Sequence, residues 1–131
     1  MLAALLLGLL AWTFIEYASH RFGGHDLRAG GHPDHHADPI EHLFLRPVPV
    51  LAAAIPIGAG FYWMGGMRGV MAWVGLMMGL LAYELIHGAI HLRPDLMPAW
   101  LVTRHLAHHD RPISRFGVTS PLWDWVFGTN N

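Results

Sequence analysis

Apolar stretches alternate along this chain with clusters of histidine, and this alternation restricts the folds that the chain can adopt. Eleven of the 131 residues are His, but none lies at positions 1–19, 43–86 or 110–131. Three apolar stretches, at about residues 1–19, 48–64 and 70–90, fill much of the chain that lacks His. A helix of about 20 residues spans the hydrocarbon core of a bilayer, whereas His-rich segments are too polar to lie in it. The pattern therefore predicts an all-α integral membrane protein with a cap of His clusters beside the membrane.

The composition agrees with a membrane protein and excludes several other classes. Hydrophobic residues make up 53% of the chain and charged residues 13%, and the mean hydropathy is +0.35. A formal net charge of −1 provides no strongly basic surface, so no nucleic-acid partner is predicted. The absence of Cys excludes disulfides, thiolate metal ligands and iron–sulfur clusters. A length of 131 residues predicts a single domain over residues 1–131.

The order of the apolar stretches places the His-bearing segments, at about 20–47 and 87–110, on one side of the membrane. A glycine-rich turn at 65–69 joins the second stretch to the third. Only one of the eight Arg, Arg68, lies in that turn. The other seven lie on the His-bearing side and are Arg21, Arg28, Arg46, Arg93, Arg104, Arg111 and Arg115. Because Arg and Lys are enriched in cytoplasmic loops, the His clusters are predicted to face the cytoplasm, in a bacterial inner membrane.

Ten of the eleven His form four short motifs whose spacings suit metal binding. The motifs are H-x-x-x-x-H (His20 and His25), H-x-x-H-H (His32, His35 and His36), H-x-x-x-H (His87 and His91) and a second H-x-x-H-H (His105, His108 and His109). Side chains three and four residues apart lie on one face of a helix, where they reach the same metal or adjacent metals. One metal takes about four to six ligands, so ten imidazoles suit two ions of the zinc, copper, iron or nickel type. His42 lies outside these spacings and is predicted not to bind metal, and a solvated His-rich surface is the alternative for the whole set.

Three carboxylates stand close to the His motifs in the sequence, namely Glu16, Glu84 and Asp110. Glu84 lies three residues before His87 within the third apolar stretch, where an ionisable side chain needs a partner. A carboxylate that accepts a hydrogen bond from a metal-bound imidazole orients the ring and raises its basicity. All three carboxylates are predicted to act in this way, and direct binding to the metal stays open.

The order of the four motifs resembles the fatty acid hydroxylase/sterol desaturase superfamily. The segments that carry the resemblance most specifically are Tyr83 to His91, Arg104 to His109, Phe116 to Pro121 and Asp124 to Thr129. The resemblance implies two iron ions held by all ten clustered His, and hydroxylation of a C–H bond of a fatty acyl lipid with O₂. It also implies a lipid substrate from the bilayer and a separate electron donor of the cytochrome b5 or ferredoxin type. Zinc can replace iron in purified protein, because nitrogen ligands favour it over Fe²⁺.

The sequence departs from this family in two ways and leaves other functions open. Only one apolar stretch precedes the first motif, whereas the family usually has four membrane helices, and the interval between His25 and His32 is short. A carotenoid hydroxylase and a lipid or sterol desaturase agree with the same motifs, although segment 116–129 favours the fatty acid hydroxylase branch. A non-catalytic membrane protein that binds or transports metal is the alternative from another class. It predicts ionisable residues along a path through the spans, and only Glu84 and His87 fit that description.

Overall fold

The computed structural model describes residues 1–26, 32–45 and 47–131, and these residues form helices and turns without any strand. In chain order the helices are α1 (Leu2–Ala18), a π-helix (Ser19–Asp26), α2 (His32–Ala37), α3 (Pro47–Leu92), a 3-10 helix (Pro94–Leu96), α4 (Ala99–Asp110) and α5 (Leu122–Val126). The predicted all-α class is confirmed.

Two helical segments are long and apolar enough to cross a membrane, as predicted for this class. One is Leu2–His25, which joins α1 to the π-helix, and the other is α3. Because α3 has 46 residues, a straight helix would be about 69 Å long, more than twice the thickness of the hydrocarbon core. It breaks at Gly66, where φ is 56° and ψ is −138°, a conformation that favours Gly. The break falls within the predicted turn at 65–69 and divides α3 into two shorter apolar helices.

The described chain divides into two compact units. Residues Met1–Trp12 and Leu45–Leu81 form one unit, which we call the apolar unit. Residues Thr13–Phe44 and Ala82–Asn131 form the other, which we call the histidine unit because it carries all eleven His. That residues 1–131 form a single domain stays a prediction.

Within the apolar unit, α1 and α3 approach each other through small residues. A Cβ on Gly8 would lie 2.0 Å from the carbonyl oxygen of Ala72, and a Cβ on Gly75 would lie 2.2 Å from that of Leu5. Small residues at such close helix contacts are typical of membrane proteins. Large apolar side chains cover the outside of the unit, and Trp63 is 86% exposed. A surface of this kind suits contact with lipid rather than water.

The core of the histidine unit joins the end of α3 to α4 and to the segment that follows α4. Ile90 on α3, Leu101 on α4 and Val118 form a buried apolar cluster. Tyr17 and Phe116 are also buried and pack edge to face, with ring centroids 5.9 Å apart. This packing fixes the positions of the helix ends that carry the third and fourth His motifs.

Candidate metal centre

The structure brings ten of the eleven His together in two clusters of five. The first cluster contains His20, His25, His32, His36 and His108, and the second contains His35, His87, His91, His105 and His109. Within each cluster, one ring nitrogen from every His lies within 4.8 Å of the others. His42 is exposed and belongs to neither cluster. Each of the ten predicted ligands therefore lies where it can share a metal ion with the other four His of its cluster.

The two H-x-x-H-H motifs divide their His between the clusters in opposite ways. On α2, the two outer His belong to the first cluster and His35 belongs to the second. On α4, the two outer His belong to the second cluster and His108 belongs to the first. The outer His are four residues apart and lie on one face of the helix, while the third His lies to one side of them. Both helices therefore support both clusters.

His20 and His25 reach the same cluster because their helix widens. The π-helix Ser19–Asp26 pairs each residue with the fifth one along, so these two His lie about one turn apart. In an α-helix of about 3.6 residues per turn, the same spacing would point the two rings in different directions. The presence of Gly23 and Gly24 predicts that the helix ends at this point. Instead, the helix continues past both glycines in its wider form.

Gly24 makes room for the ring of His32 in the first cluster. A Cβ on Gly24 would lie 2.7 Å from Cδ2 of His32, whereas a Cβ on Gly23 would meet no atom within 4 Å. We therefore expect Gly24→Ala to displace His32 and to weaken metal binding by the first cluster about tenfold or more. The matched control, Gly23→Ala, should leave binding unchanged. Titration of metal-loaded protein with a chelator measures both affinities, and equal affinities for the two variants would contradict this role for Gly24.

The nearest ring nitrogens in each cluster are spaced like ligands of one ion. Six pairs of Nε2 atoms lie 2.9–3.1 Å apart. The pairs are His25–His108, His25–His32, His32–His36, His35–His87, His91–His105 and His105–His109. Two nitrogens about 2.1 Å from a metal lie about 3.0 Å apart at a right angle and about 3.4 Å apart at the tetrahedral angle. The observed spacing therefore fits an ion with right-angle coordination.

Hydrogen bonds between the rings do not account for these contacts. In a neutral imidazole, Nε2 either carries one proton or offers one lone pair, so it serves one partner. Nε2 of His25 faces two other Nε2 atoms, and so do the Nε2 atoms of His32 and His105. Among the described residues, neither ring nitrogen of the buried His20 has a hydrogen-bond partner. Buried nitrogens in this arrangement fit a bound cation, which would serve several of them at once.

The clustered His that lie outside the apolar helices are held in the neutral form that binds metal. Burial, followed by repulsion from neighbouring His, lowers the pKa of His36 to about 4 and the pKa of His109 to about 3. Burial also lowers the pKa of His35 to about 4. It lowers the pKa of His108 to about 3, although a hydrogen bond to Ser114 opposes this shift. At neutral pH these rings therefore need not lose a proton before they can bind a metal.

A backbone carbonyl orients the fully buried ring of His108. Its Nδ1–H donates a hydrogen bond to the carbonyl oxygen of Ser114, 2.6 Å away. This bond places the proton on Nδ1 and leaves Nε2 as a lone-pair donor toward the first cluster. The sequence contains no signal for Ser114 in this role, because any residue can supply a backbone carbonyl.

The three carboxylates predicted to support the His rings have different surroundings. The carboxylate of Glu16 accepts hydrogen bonds from the N–H of Val118 at 2.5 Å and from the N–H and hydroxyl of Thr119 at 2.8 and 2.5 Å. It therefore ties α1 to the segment that follows α4. Glu84 is partly buried on α3, and Asp110 is exposed at the last residue of α4. That these carboxylates orient His rings stays a prediction.

Asp124, which the His spacings do not point to as a site residue, anchors the segment behind α4. It is fully buried and accepts hydrogen bonds from the N–H groups of Phe116 and Gly117, at 2.9 and 2.8 Å. It also accepts a hydrogen bond from the hydroxyl of Thr129 at 2.7 Å and forms an ion pair with Arg104 of α4. The signal for Asp124 in the sequence is its position within a segment that carries the family resemblance.

One family model and several curated relatives match the chain. The model of the fatty acid hydroxylase family matches residues 5–129. The ceramide very long chain fatty acid hydroxylase scs7 of Schizosaccharomyces pombe is 32% identical over 95% of this chain and 41% of its own length. The dihydroceramide fatty acyl 2-hydroxylase FAH1 of Arabidopsis thaliana is 31% identical, over 95% of this chain and 59% of its own length. The fatty acid 2-hydroxylase of Mus musculus is 28% identical over 95% of this chain and 38% of its own length.

The chain spans between 38% and 59% of the length of these three relatives. The alignment with the S. pombe protein covers 148 positions, more than the 131 residues of this chain. That relative therefore carries residues within the matched region that this chain lacks. No solved structure matches the chain.

Proposed function

Because the chain belongs to the fatty acid hydroxylase family, as its His motifs predicted, we propose that it is a membrane-bound oxidoreductase that hydroxylates a fatty acyl lipid. The observation that carries this proposal is the placement of ten His in two clusters, all within the region that the family model matches. The names of the Arabidopsis and mouse relatives specify carbon 2, next to the carbonyl, as the position hydroxylated. We extend that position to this chain.

We propose that each cluster holds one iron ion and that all ten clustered His are ligands. The Nε2 spacing of 2.9–3.1 Å supports coordination by five or six ligands at right angles rather than by four tetrahedral ones. A set of neutral nitrogen ligands suits iron, copper, nickel or zinc, and the family favours iron. Zinc can occupy the clusters in purified protein, because nitrogen ligands bind it more tightly than Fe²⁺.

Iron bound in these clusters would supply the activation of O₂, so that one oxygen atom enters a C–H bond and the other leaves as water, at the expense of two electrons and two protons. The residues of this chain hold the ions, and their neutral rings add no negative charge. His87, His105 and His108 are at most 3% exposed, so they keep water away from their side of each cluster. We propose that the acyl chain enters from the bilayer and that the electrons come from a donor protein of the cytochrome b5 or ferredoxin type.

We place the histidine unit on the cytoplasmic side of the membrane. Arg68 lies in the apolar unit, and the other described Arg all lie in the histidine unit. An excess of Arg in segments beside the membrane supports a cytoplasmic location. Arg28 and Arg46, which the sequence also predicts on this side, lie outside the described residues. A bacterial inner membrane stays a prediction, and the three relatives named above are eukaryotic.

Mass spectrometry of lipids from cells that express this chain tests the proposed function. A donor of the cytochrome b5 type or of the ferredoxin type is expressed with it in separate cultures. We expect an acyl lipid that gains one oxygen atom, located at carbon 2 by fragmentation. His108→Ala removes a buried member of the first cluster and should abolish this product, whereas His42→Ala, which lies outside both clusters, should retain it.

Four other outcomes would contradict the proposal. Equal product from His108→Ala would show that the oxygen is added by another enzyme of the host. An oxygenated carotenoid in a carotenoid-producing host, or a new double bond in an acyl chain, would favour the corresponding branch of the superfamily. If neither the culture with the cytochrome b5 donor nor the culture with the ferredoxin donor forms a product, a non-catalytic metal protein is favoured.

A further inference from the structure

We propose that Arg21 binds the carboxylate of a free fatty acid, so that this chain recognises the acidic head of its substrate as well as the acyl chain. This inference rests on the proposed function, because it names the substrate class of the same site. A carboxylate site at Arg21 would also distinguish a free fatty acid from an acyl chain held in an amide, because the amide carries no charge at the carbonyl end of the chain.

A cavity of about 670 Å³ lies beside the His clusters in the histidine unit. His25 and His36 of the first cluster and His109 of the second lie in its wall, so the cavity reaches both clusters. Arg21 lines the same cavity, together with apolar side chains that include Phe116. A space of this size, whose described wall combines apolar side chains and His rings with the cation of Arg21, suits a small acidic group attached to an apolar chain.

The side chain of Arg21 is held in place by its neighbours. Its Nη1 donates a hydrogen bond to the hydroxyl of Tyr17 at 2.7 Å. Its guanidinium carbon lies 5.1 Å from the ring centroid of Phe22, 5.9 Å from that of Phe116 and 6.0 Å from that of Tyr17. Aromatic rings at these distances attract a cation and reduce the entropy that it loses when it binds a ligand. Arg21 is therefore fixed before any ligand arrives.

The charge of Arg21 has no carboxylate partner in the described part of the chain. The two ion pairs found there, Arg93–Asp95 and Arg104–Asp124, involve other Arg residues. A guanidinium has five N–H donors in a planar fork, and the hydroxyl of Tyr17 uses one of them. The remaining donors match the two oxygens of a carboxylate.

The position of Arg21 agrees with hydroxylation at carbon 2. In a fatty acid this carbon is bonded directly to the carboxyl carbon. An acid held by Arg21 therefore places carbon 2 in the same cavity as His25, His36 and His109. Recognition of the head group would in this way select the carbon that reacts, since the distance along the chain from the carboxylate is fixed.

Binding of palmitate and of methyl palmitate to the purified full chain tests the proposal without any need for turnover. The ester has the same acyl chain but lacks the charge. At alkaline pH, where the acid is ionised, the native chain should bind palmitate about tenfold or more tightly than the ester. Arg21→Gln should remove this preference by weakening palmitate binding alone, and Arg21→Lys should keep part of it. Arg93→Gln, which breaks an exposed ion pair, should behave like the native chain.

Two results would overturn the proposal. One is equal binding of acid and ester by the native chain. The other is an Arg21→Gln variant that loses both ligands to the same extent, because that would show a structural role through Tyr17. The metal content of every variant is measured, so that damage to the His clusters is not mistaken for a loss of head-group recognition. If the native chain prefers the acid but cells form no oxygenated lipid, only the proposed function is contradicted. If cells form the oxygenated lipid but the native chain binds acid and ester equally, only the role of Arg21 is contradicted.

Discussion

Purified protein should contain two metal ions per chain, and paired His substitutions should remove these ions cluster by cluster. His105 and His108 lie three residues apart on α4 and are 3% and 0% exposed, but they belong to different clusters. Because they share a helix and a degree of burial, replacing either with Ala disturbs the packing to a similar extent. Each single substitution should lower the metal content from two ions to one after dialysis against a chelator.

Double substitutions separate two independent clusters from one shared site. His105→Ala combined with His108→Ala affects both clusters and should leave no metal. His36→Ala combined with His108→Ala affects the first cluster alone and should leave one ion. Elemental analysis per chain measures each result, with His42→Ala as the control that should keep both ions. Equal metal content in the two double variants, or fewer than two ions in the native chain, would contradict the assignment.

The sequence predicts which His act as ligands, but it does not predict how they divide between the clusters. A spacing of three or four residues places side chains on one helix face, which is enough to select His35 and His36 as candidates. Adjacent residues point in directions about 100° apart on a helix, so these two turn toward different clusters. Which cluster receives which ring depends on where α3 and α4 end, and long-range packing sets those positions.

Glycine illustrates both a correct and an incorrect local prediction. At Gly66 the backbone has a positive φ, which Gly adopts far more readily than other residues. The turn predicted from the Gly-Gly pair therefore coincides with the break in α3. At Gly23 and Gly24 the low helix propensity of Gly predicts an end to the helix, but the chain continues as a π-helix. Contacts far along the chain, such as that between His25 and His108, override the local preference there.

Buried polar partners are the other part of the site that sequence proximity does not predict. Glu16 stands four residues before a clustered His, yet its carboxylate binds Val118 and Thr119, more than 100 residues away. Buried carboxylates need several donors, and backbone N–H groups of an irregular segment supply them. Only the folded chain shows which segment that is.

Replacement of Asp124 by Asn should strongly destabilise the histidine unit. Oδ1 of Asp124 accepts hydrogen bonds from the N–H of Phe116 and the hydroxyl of Thr129, and Oδ2 accepts from the N–H of Gly117 and the guanidinium of Arg104. In either orientation, Asn would present an NH₂ group to one of these donor pairs. The side chain of Arg104, which is 10% exposed, would also lose its counter-ion. Removal of one partner from a buried ion pair costs about 3–5 kcal/mol.

Asp95→Asn is the matched control, because it breaks the Arg93–Asp95 pair, in which both side chains are 61% exposed. Water and salt screen such a pair, so its loss should leave the melting temperature unchanged. In thermal unfolding of the detergent-solubilised protein, Asp124→Asn should lower the melting temperature by on the order of 10 °C. Metal content should fall with it, since the anchored segment begins beside Ser114, whose carbonyl orients His108. Equal melting temperatures for the two variants would show that the donors around Asp124 find other partners, and that the segment behind α4 does not depend on this carboxylate.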